Sequence, residues 1–342
     1  MAKPMGIGLL SGGLDSAVAV RVVQEAGAAV ECIHFFTGFC VSGHHSRVGR
    51  TDRAIANSAL QVAAELGVPV ELCDISNDYL DIVLNPRYGY GANINPCIDC
   101  RIFMLIKARE LMRERGAEFV FTGEVIGQRP MSQMRRTLDL IERNTGLEGR
   151  LLRPLSARLL PETIPEREGR LDRGRLLDLQ GRSRKRQIEL AHRYGVTTYT
   201  QPGGGCCFLT DEAYARKFRD LVSHMEEPSL TMDDILILGV GRHFRLAENV
   251  KAVIGRDEIE NTFLERYTDG RWTAVAKDHP GPLAIMFGEG DRDVRRTIAM
   301  LVARFSDGKH EERVTVEFER DGELSELVVA PAPDELVEAH RI

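Results

Sequence analysis

The chain lacks any long hydrophobic run. No apolar stretch approaches the roughly 18 residues needed to cross a bilayer, and the N-terminus lacks the charged and then apolar segment of a secretory signal. We therefore expect a soluble, cytoplasmic protein with no membrane partner. Seven cysteines, an odd number, are unevenly placed among the 342 residues, which argues against a disulfide framework. The cysteines are therefore expected to be reduced thiols, metal ligands or catalytic residues.

The chain also lacks an overall excess of positive charge. The 45 lysines and arginines are outnumbered by 51 acidic residues, and this net charge of -6 argues by itself against a nucleic-acid partner. The average conceals a segregation, because residues 129–193 hold fifteen arginines and one lysine against nine acidic residues, a local charge of +7. This segment is a candidate surface for a phosphate backbone. A solvated, salt-bridged face is the alternative.

Lysine is absent from the glycine-rich segment Ser11-Gly12-Gly13-Leu14-Asp15-Ser16, so this is not the phosphate loop that ends in Gly-Lys-Ser/Thr. The segment lies between an apolar run and a helix-like stretch. Glycines let backbone N–H groups surround an anion, and the helix offers its partly positive N-terminus. Ser11 and Ser16 add hydroxyl donors, and Asp15 suits a metal ion or a helix cap. The pattern predicts nucleotide binding, with a capped glycine turn as the alternative.

Helices and short apolar strands alternate through the first part of the chain. This alternation predicts an α/β fold with a parallel sheet and helices on both faces. Ligands of such sheets lie beyond the carboxyl ends of the strands. The loops at Ser11, at Phe36 and at Thr122 are therefore expected to converge on one site.

Two domains are predicted, covering residues 1–220 and 221–342. The first includes an irregular connector at about 147–181, rich in proline and arginine, that carries the basic surface. The second is a smaller α+β domain, in which Ile235 to Gly239 is expected to be a strand and Arg292 to Arg304 a helix.

Two of the cysteines, Cys97 and Cys100, stand three residues apart just before an amphipathic helix. A helix N-terminus favours the thiolate, and two thiolates at this spacing can share a metal or form a redox pair. The turn Gly205-Cys206-Cys207 supplies a third thiol. Three thiolates with one open position suit an iron-sulfur cluster, whereas four suit structural zinc. A catalytic persulfide or disulfide pair, or a set of inert buried thiols, would explain the same cysteines without a metal.

The remaining cysteines, Cys32, Cys40 and Cys73, fall in or beside predicted strands and are expected to be core or bystander residues. His44 and His45 lie in a polar loop, where we expect surface or substrate contact rather than metal ligation.

The segment 11–16 closely resembles the PP-loop of the ATP pyrophosphatases, which cleave ATP between its α and β phosphates. With Asn95-Pro96, the paired cysteines and Thr122-Gly123-Glu124, residues 6 to 211 resemble the tRNA thiouridylases. In those enzymes a cysteine after Asn-Pro corresponds to Cys100, and Thr-Gly-His corresponds to 122–124, so that Glu124 replaces a histidine. The motif style is most similar to the thiamine/4-thiouridine proteins. Segments 241–245 and 254–261 resemble the RNA-binding domain of the NFACT proteins.

The resemblance implies a transferase of the N-type ATP pyrophosphatases, a tRNA-uridine sulfurtransferase. Such an enzyme adenylates a base carbonyl oxygen of tRNA, releases pyrophosphate and replaces the oxygen with sulfur. The implied cofactors are ATP, Mg²⁺ and a [4Fe-4S] cluster. The implied partners are tRNA and a sulfur donor, either sulfide or a persulfide-carrying protein, and a homodimer is allowed.

The candidate site residues fall into four sets. Asp15, Cys97, Cys100 and Cys206 are the catalytic candidates. The ATP-binding candidates are Ser11, Gly12, Gly13, Asp15, Ser16, Phe36, Thr122 and Gly123. The metal-binding candidates are Asp15 for Mg²⁺ and Cys97, Cys100 and Cys206 for the cluster, with Cys207 competing for the third place. The RNA-binding candidates are Arg129, Arg135, Arg136, Arg184, Lys185 and Arg186.

Two other functions stay open. An amide-forming ligase of the same superfamily would adenylate a small molecule, although this leaves the paired cysteines unexplained. A tRNA-binding or sulfur-carrying accessory protein would bind nucleotide without turnover.

Overall fold

The computed structural model describes residues 3–40, 48–49, 58–199, 207–225 and 229–342. Their contacts divide into two compact units, one with the described residues up to 207, except 48–49, and one with residues 48–49 and those from 208 onward. The predictions for His44, His45 and Cys206 concern residues outside the described ranges. None of the described helices is long and apolar enough to span a membrane.

The first unit is built on a five-stranded parallel sheet with the strand order β3-β2-β1-β4-β5, which confirms the predicted fold class. The strands are β1 (Met5–Leu9), β2 (Ala29–Phe36), β3 (Val70–Asp74), β4 (Phe119–Phe121) and β5 (Leu151–Leu152). The helices are α1 (Leu14–Glu25), α2 (Ser58–Leu66), α3 (Ser76–Leu84), α4 (Cys97–Glu114), α5 (Arg135–Thr145), α6 (Ile164–Arg167) and α7 (Lys185–Arg193).

Alternating side chains of β4 show why helices cover both faces of this sheet. Phe119 and Phe121 pack in the core cluster that contains α1, α2 and Ala191 of α7. Val120, which points the other way because strand side chains alternate, packs with Leu105 of α4 and Ile141 of α5.

The segment 147–181 is more ordered than the predicted irregular connector. It supplies β5, a short 3-10 helix at Ala157–Leu159, helix α6 and a second 3-10 helix at Arg173–Arg175. Helix α6 begins with a capping box between Thr163 and Glu166. The core cluster on one face of the sheet contains five buried leucines from this segment, namely Leu152, Leu155, Leu171, Leu176 and Leu179. The segment is therefore part of the packed first unit, because those leucines complete one face of the sheet.

The second unit contains a six-stranded antiparallel sheet with the order β11-β10-β8-β9-β7-β6. Its strands are β6 (Arg242–Ala247), β7 (Val250–Ile254), β8 (Thr273–Ala276), β9 (Ala284–Phe287), β10 (Val314–Arg320) and β11 (Glu323–Val329). Its helices are α8 (Glu212–Ser223), α9 (Met232–Leu238), α10 (Glu258–Leu264), α11 (Arg292–Phe305) and α12 (Asp334–His340), and a 3-10 helix at Glu265–Tyr267 follows α10. Helix α11 packs on the sheet through Ile298, Leu301 and Val302.

The segment predicted as a strand over Ile235 to Gly239 is helix α9. Its start is fixed by a capping box, in which the Thr231 hydroxyl accepts from the Asp234 N–H at 3.2 Å and the Asp234 carboxylate accepts from the Thr231 N–H at 2.9 Å. The strand prediction was wrong because a short apolar run suits a buried helix as well as a buried strand.

Candidate functional site

The loop between β1 and α1 is tightly closed. Gly12 has a φ of +76°, and a Cβ there would lie 2.2 Å from the Ser58 hydroxyl oxygen. The Ser16 hydroxyl donates to the Gly13 carbonyl at 2.9 Å and lies 3.1 Å from the Ser11 hydroxyl. The N-cap residue of α1 is Gly13, which has no side chain to cap the helix. An anion can therefore take the place of a capping side chain at this helix start.

The loop after β4 touches the first turn of α1. A Cβ on Gly123 would lie 2.6 Å from the carbonyl carbon of Asp15 and from the backbone nitrogen of Ser16, so this close approach requires glycine at position 123. Thr122 is buried, and its hydroxyl donates to the Glu124 carboxylate at 3.0 Å. The Phe36 carbonyl, at the end of β2, accepts from the Ile75 N–H at 2.9 Å. The contacts of Thr122 and Phe36 with ATP stay predictions.

Asp15 is held through a chain of two glutamines. Gln128 donates to Asp15 Oδ2 at 2.6 Å, and Gln187 of α7 donates to the Gln128 side-chain carbonyl at 3.1 Å. The other carboxylate oxygen of Asp15, Oδ1, is buried and has no hydrogen-bond partner among the described residues. Burial raises the pKa of Asp15, while the Gln128 hydrogen bond and the charges of Arg184 and Arg129 act in the opposite direction.

Such an oxygen fits a divalent cation. Buried polar atoms normally have a partner, and Mg²⁺ takes carboxylate oxygens together with phosphate oxygens. Asp15 Oδ1 stands in the segment that the sequence assigns to phosphates, so it fits one ligand position of a Mg²⁺ ion, and the bound ion itself stays a prediction.

The two glutamines were not among the predicted site residues. Gln128 lies in the segment after β4, and Gln187 is 1 % exposed although it belongs to a helix that is polar overall. The one available signal was that Gln187 and Ala191 stand four residues apart and so share a helix face. A polar residue on a buried face requires a partner.

Cys97 and Cys100 both belong to the first turn of α4, where they share one side of the helix. The Cys100 N–H donates to the Pro96 carbonyl at 2.8 Å. Between the cysteines, the Asp99 carboxylate accepts from the N–H groups of Arg87 at 3.1 Å and Tyr88 at 3.0 Å. The preceding loop is thereby fixed to the start of the helix, a position that favours thiolates.

These two thiols fit two ligand positions of an iron-sulfur cluster. The described part of the chain contains no group of three or more metal-ligating side chains, and the predicted third ligand, Cys206, falls outside it. The cluster therefore stays a prediction. Cys207 forms an isolated antiparallel bridge with Cys40.

Glu124, which the resemblance sets in place of a histidine, is buried in an ion-pair network. Its Oε2 accepts from Arg153 Nε at 3.2 Å, and its Oε1 lies 3.1 Å from Nε of Arg101 without the geometry of a hydrogen bond. Burial acts to raise the pKa of Glu124, but Arg101 and Arg153 outweigh it and the pKa is lowered. Because Arg101 follows Cys100 directly, the ionised Glu124 joins the cysteine helix to the end of β4.

The basic segment is less available than its composition indicates. Arg153 is 3 % exposed and pairs with Glu142 at 3.0 Å as well as with Glu124. Arg135 lies 3.6 Å from Asp139, and Arg186 lies 3.0 Å from Asp178. Exposed pairs of this kind are worth about 0–1 kcal/mol, so a phosphate can displace them. Of the other RNA-binding candidates, Arg129, Arg136 and Lys185 are exposed and Arg184 is partly buried.

Comparisons with known proteins agree with this geometry. Residues 6–140 match the family model described as the tRNA methyl transferase HUP domain, and residues 241–341 match that of the NFACT protein RNA binding domain. A tRNA-specific 2-thiouridylase MnmA of Pelobacter propionicus is 32% identical over 33% of this chain and 31% of that protein. Its counterpart in Trichlorobacter lovleyi is 32% identical over 34% of this chain and 32% of that protein.

The match thus spans about a third of the length of these curated relatives. Among solved structures, a 4-thiouridine synthetase–RNA complex with bound ATP is 29% identical, covering 44% of this chain and 36% of that chain at a TM-score of 0.34. The predicted resemblance to PP-loop tRNA thiouridylases, followed by an NFACT-type RNA-binding domain, is confirmed.

Proposed function

We propose that this chain, in which a HUP domain of thiouridylase type precedes an NFACT-type RNA-binding domain, is an ATP-dependent tRNA thiolation enzyme. A base carbonyl oxygen of tRNA attacks the α phosphate of ATP, and pyrophosphate leaves. Sulfur then adds to the activated carbon, and AMP departs with the original oxygen. The observation that carries the proposal is the buried, unpartnered Asp15 Oδ1 beside a closed glycine loop.

The residues of the nucleotide site have distinct roles in this proposal. Backbone N–H groups of Gly12 and Gly13, with the hydroxyls of Ser11 and Ser16, bind the phosphates. Asp15 Oδ1 would hold Mg²⁺, which neutralises phosphate charge when bound. The hydrogen bonds from Gln187 to Gln128 and from Gln128 to Asp15 support this role, because they hold the carboxylate in one orientation.

Phe36, Thr122 and Gly123 complete the proposed ATP site. They stand at or just beyond the ends of β2 and β4, on the edge where ligands of parallel sheets bind. Close packing of Gly123 on Asp15 supports a shared site.

The proposed sulfur site uses Cys97, Cys100 and Cys206 to hold a [4Fe-4S] cluster, whose open iron would supply sulfide. The helix N-terminus beneath Cys97 and Cys100 favours the thiolates that such ligation needs. Without a cluster, a persulfide on Cys100 would supply the sulfur.

The proposed substrate is tRNA, bound in part by Arg129, Arg135, Arg136, Arg184, Lys185 and Arg186. Arg129 and Arg184 lie close enough to Asp15 for their charges to act on its pKa, which supports a phosphate-binding surface beside the nucleotide. The sulfur donor is sulfide or a persulfide-carrying protein, and the enzyme acts in the cytoplasm. A homodimer stays a prediction.

Pyrophosphate release with ATP, Mg²⁺ and tRNA tests the proposal. We expect release to depend on tRNA and to fall roughly 100-fold or more in Asp15→Asn, which keeps the shape but loses the charge that holds Mg²⁺. Asp78→Asn is the matched control, because Asp78 is an exposed carboxylate of α3, 61% exposed, and its loss should leave release unchanged. Equal release with and without tRNA would point to the small-molecule ligase, and no release by the native chain would point to an accessory protein.

The same preparation tests the sulfur site when it is purified without oxygen and analysed for iron and sulfide. A broad absorption band near ~400 nm with about four irons per chain is expected for a [4Fe-4S] cluster. The band should disappear in Cys97→Ala, Cys100→Ala and Cys206→Ala but persist in Cys73→Ala. A protein that stays colourless and iron-free after reconstitution would eliminate the cluster and leave the persulfide on Cys100.

A further inference from the structure

Cys40 and Cys207 are far apart in sequence but lie opposite one another in the fold. Their backbones form an isolated antiparallel bridge within the first unit. Cys40 comes four residues after the end of β2, on the edge of the sheet that also carries the glycine loop. The sequence predicts Cys40 to be a bystander and Cys207 to compete for the third cluster position. It does not predict that these two residues lie opposite one another.

An antiparallel bridge places two side chains at the separation that a disulfide requires. Directly opposed residues have Cα atoms about 4.5 or 5.5 Å apart, depending on the type of pair. A disulfide needs a Cα separation of about 4.4–6.8 Å, which includes both values. Opposed side chains also project to the same face of the ladder. The backbone therefore sets these two thiols for a bond with little rearrangement.

The surroundings of the pair are compatible with reaction. Cys40 and Cys207 are both partly exposed, so a small reagent can reach them. Cys40 Sγ lies 3.7 Å from the hydroxyl of the buried Thr37, a contact that restricts its rotation. Cys32 differs sharply, because it is 1% exposed and burial raises its pKa to about 12. A thiol with so high a pKa is inert near neutral pH.

We propose that Cys40 and Cys207 form a second thiol pair, separate from Cys97 and Cys100, that closes to a disulfide by exchange with a low-molecular-mass disulfide such as oxidised glutathione. One protein thiolate attacks the reagent, which gives a mixed disulfide and releases one glutathione thiolate. The second protein thiolate then attacks the protein sulfur of the mixed disulfide and releases the other. The two cysteines lose two electrons and two protons, and the reagent is reduced to two thiols.

The pairing goes beyond the proposed thiolation. While Cys207 is held in a disulfide with Cys40, it cannot bind a cluster on Cys97 and Cys100.

The test is disulfide mapping of the full chain after native incubation with excess oxidised glutathione, alkylation and digestion with trypsin. Trypsin yields residues 22–47, with Cys32 and Cys40, and residues 194–216, with Cys206 and Cys207. We expect these two peptides to be cross-linked. The cross-link should persist in Cys206→Ser and disappear in both Cys40→Ser and Cys207→Ser, while Cys32 stays unmodified until the chain is unfolded.

Three results would overturn the proposal. The first is a cross-link between the two peptides that survives Cys207→Ser. The second is a disulfide found only within residues 88–101, the peptide that contains Cys97 and Cys100. The third is recovery of Cys40 and Cys207 only as separate glutathione adducts. The native chain alone decides the last two, so the test does not depend on how the variants fold. No ATP or tRNA is needed, and failure here is therefore distinct from failure of the thiolation proposal.

Discussion

Two carboxylates, one from each unit, have opposite surroundings. In the second unit, Glu260 is fully buried, and its Oε2 accepts from the N–H groups of Gly241 at 3.1 Å and Arg256 at 2.9 Å and from the Arg256 guanidinium at 3.0 Å. In the first unit, Asp15 Oδ1 has no such donor among the described residues. A carboxylate satisfied by its own chain holds the fold together. One left open is available to a ligand.

The largest expected effect on stability comes from Glu260→Ala. Removing the carboxylate takes the acceptor from the buried Gly241 N–H and from the N–H and guanidinium of Arg256, which should cost about 3 kcal/mol of unfolding free energy. Urea unfolding followed by the fluorescence of Trp272, the one tryptophan of the chain, reports on this unit. Glu258→Ala, an exposed change on the same helix, is the control and should be nearly neutral.

The matching substitution in the first unit, Asp15→Asn, tests whether the open carboxylate contributes to stability. Because burial already raises the pKa of Asp15, its charge is unfavourable in the folded state, and we expect no loss of stability when that charge is removed. Thermal unfolding by circular dichroism measures this. A loss as large as that of Glu260→Ala would make Asp15 a structural residue and contradict the distinction.

A smaller effect should separate packing from ligand binding in the glycine loop. Gly123→Ala places a methyl group 2.6 Å from the backbone of Asp15 and Ser16, a clash expected to cost about 1–3 kcal/mol. Gly13→Ala meets only the Ser11 hydroxyl at 3.4 Å, so it should fold normally and yet bind ATP more weakly if phosphates occupy that space. Thermal unfolding and nucleotide titration would distinguish the two. Normal ATP affinity in Gly13→Ala would argue against phosphates at that position.

The smallest effect concerns pH and the second unit. Lys217 donates to the carbonyls of Leu238 at 3.1 Å and Gly241 at 3.4 Å. Burial lowers its pKa from 10.5 to about 8, with Arg256 and Lys251 acting in the same direction. Below pH 8 the amine is protonated in both states, whereas between about 8 and 10.5 the unfolded chain binds more protons. This group's contribution to stability therefore increases with pH in that window.

Lys217→Met should remove this contribution, so that its stability increases less than that of the native chain between pH 8 and pH 10. Urea midpoints at the two pH values, followed by Trp272 fluorescence, provide the measurement. Parallel pH profiles for the two proteins would show that Lys217 titrates normally.

The sequence could predict what depends on short segments. The glycine loop and the cysteine pair each lie in a short stretch, and each strand or helix has its own local hydrophobic pattern, from whose alternation the parallel sheet follows. Contacts between distant residues left weaker signals. The chain from Gln187 through Gln128 to Asp15 joins positions that only the fold brings together. The pairing of Cys40 with Cys207 is of the same kind.

Arginine counts misled for a related physical reason. The number of arginines in a segment does not show which of them form ion pairs within the fold. Arg153 adds to the count of the basic segment, yet it is buried between Glu124 and Glu142. Helix α9 was missed because its run of four apolar residues at 235–238 suits either secondary structure, although the Thr231 and Asp234 pair in front of that run is a helix-start signal.

Glu124 also constrains how this sequence can evolve. Its negative charge compensates two guanidinium groups, and one of them, that of Arg153, is almost wholly enclosed. Replacing Glu124 alone by histidine would remove the carboxylate that compensates both guanidinium groups, and the enclosed Arg153 would then depend on Glu142 for its counter-charge. The effects of substitutions at Arg101, Glu124 and Arg153 are therefore expected to be epistatic rather than additive.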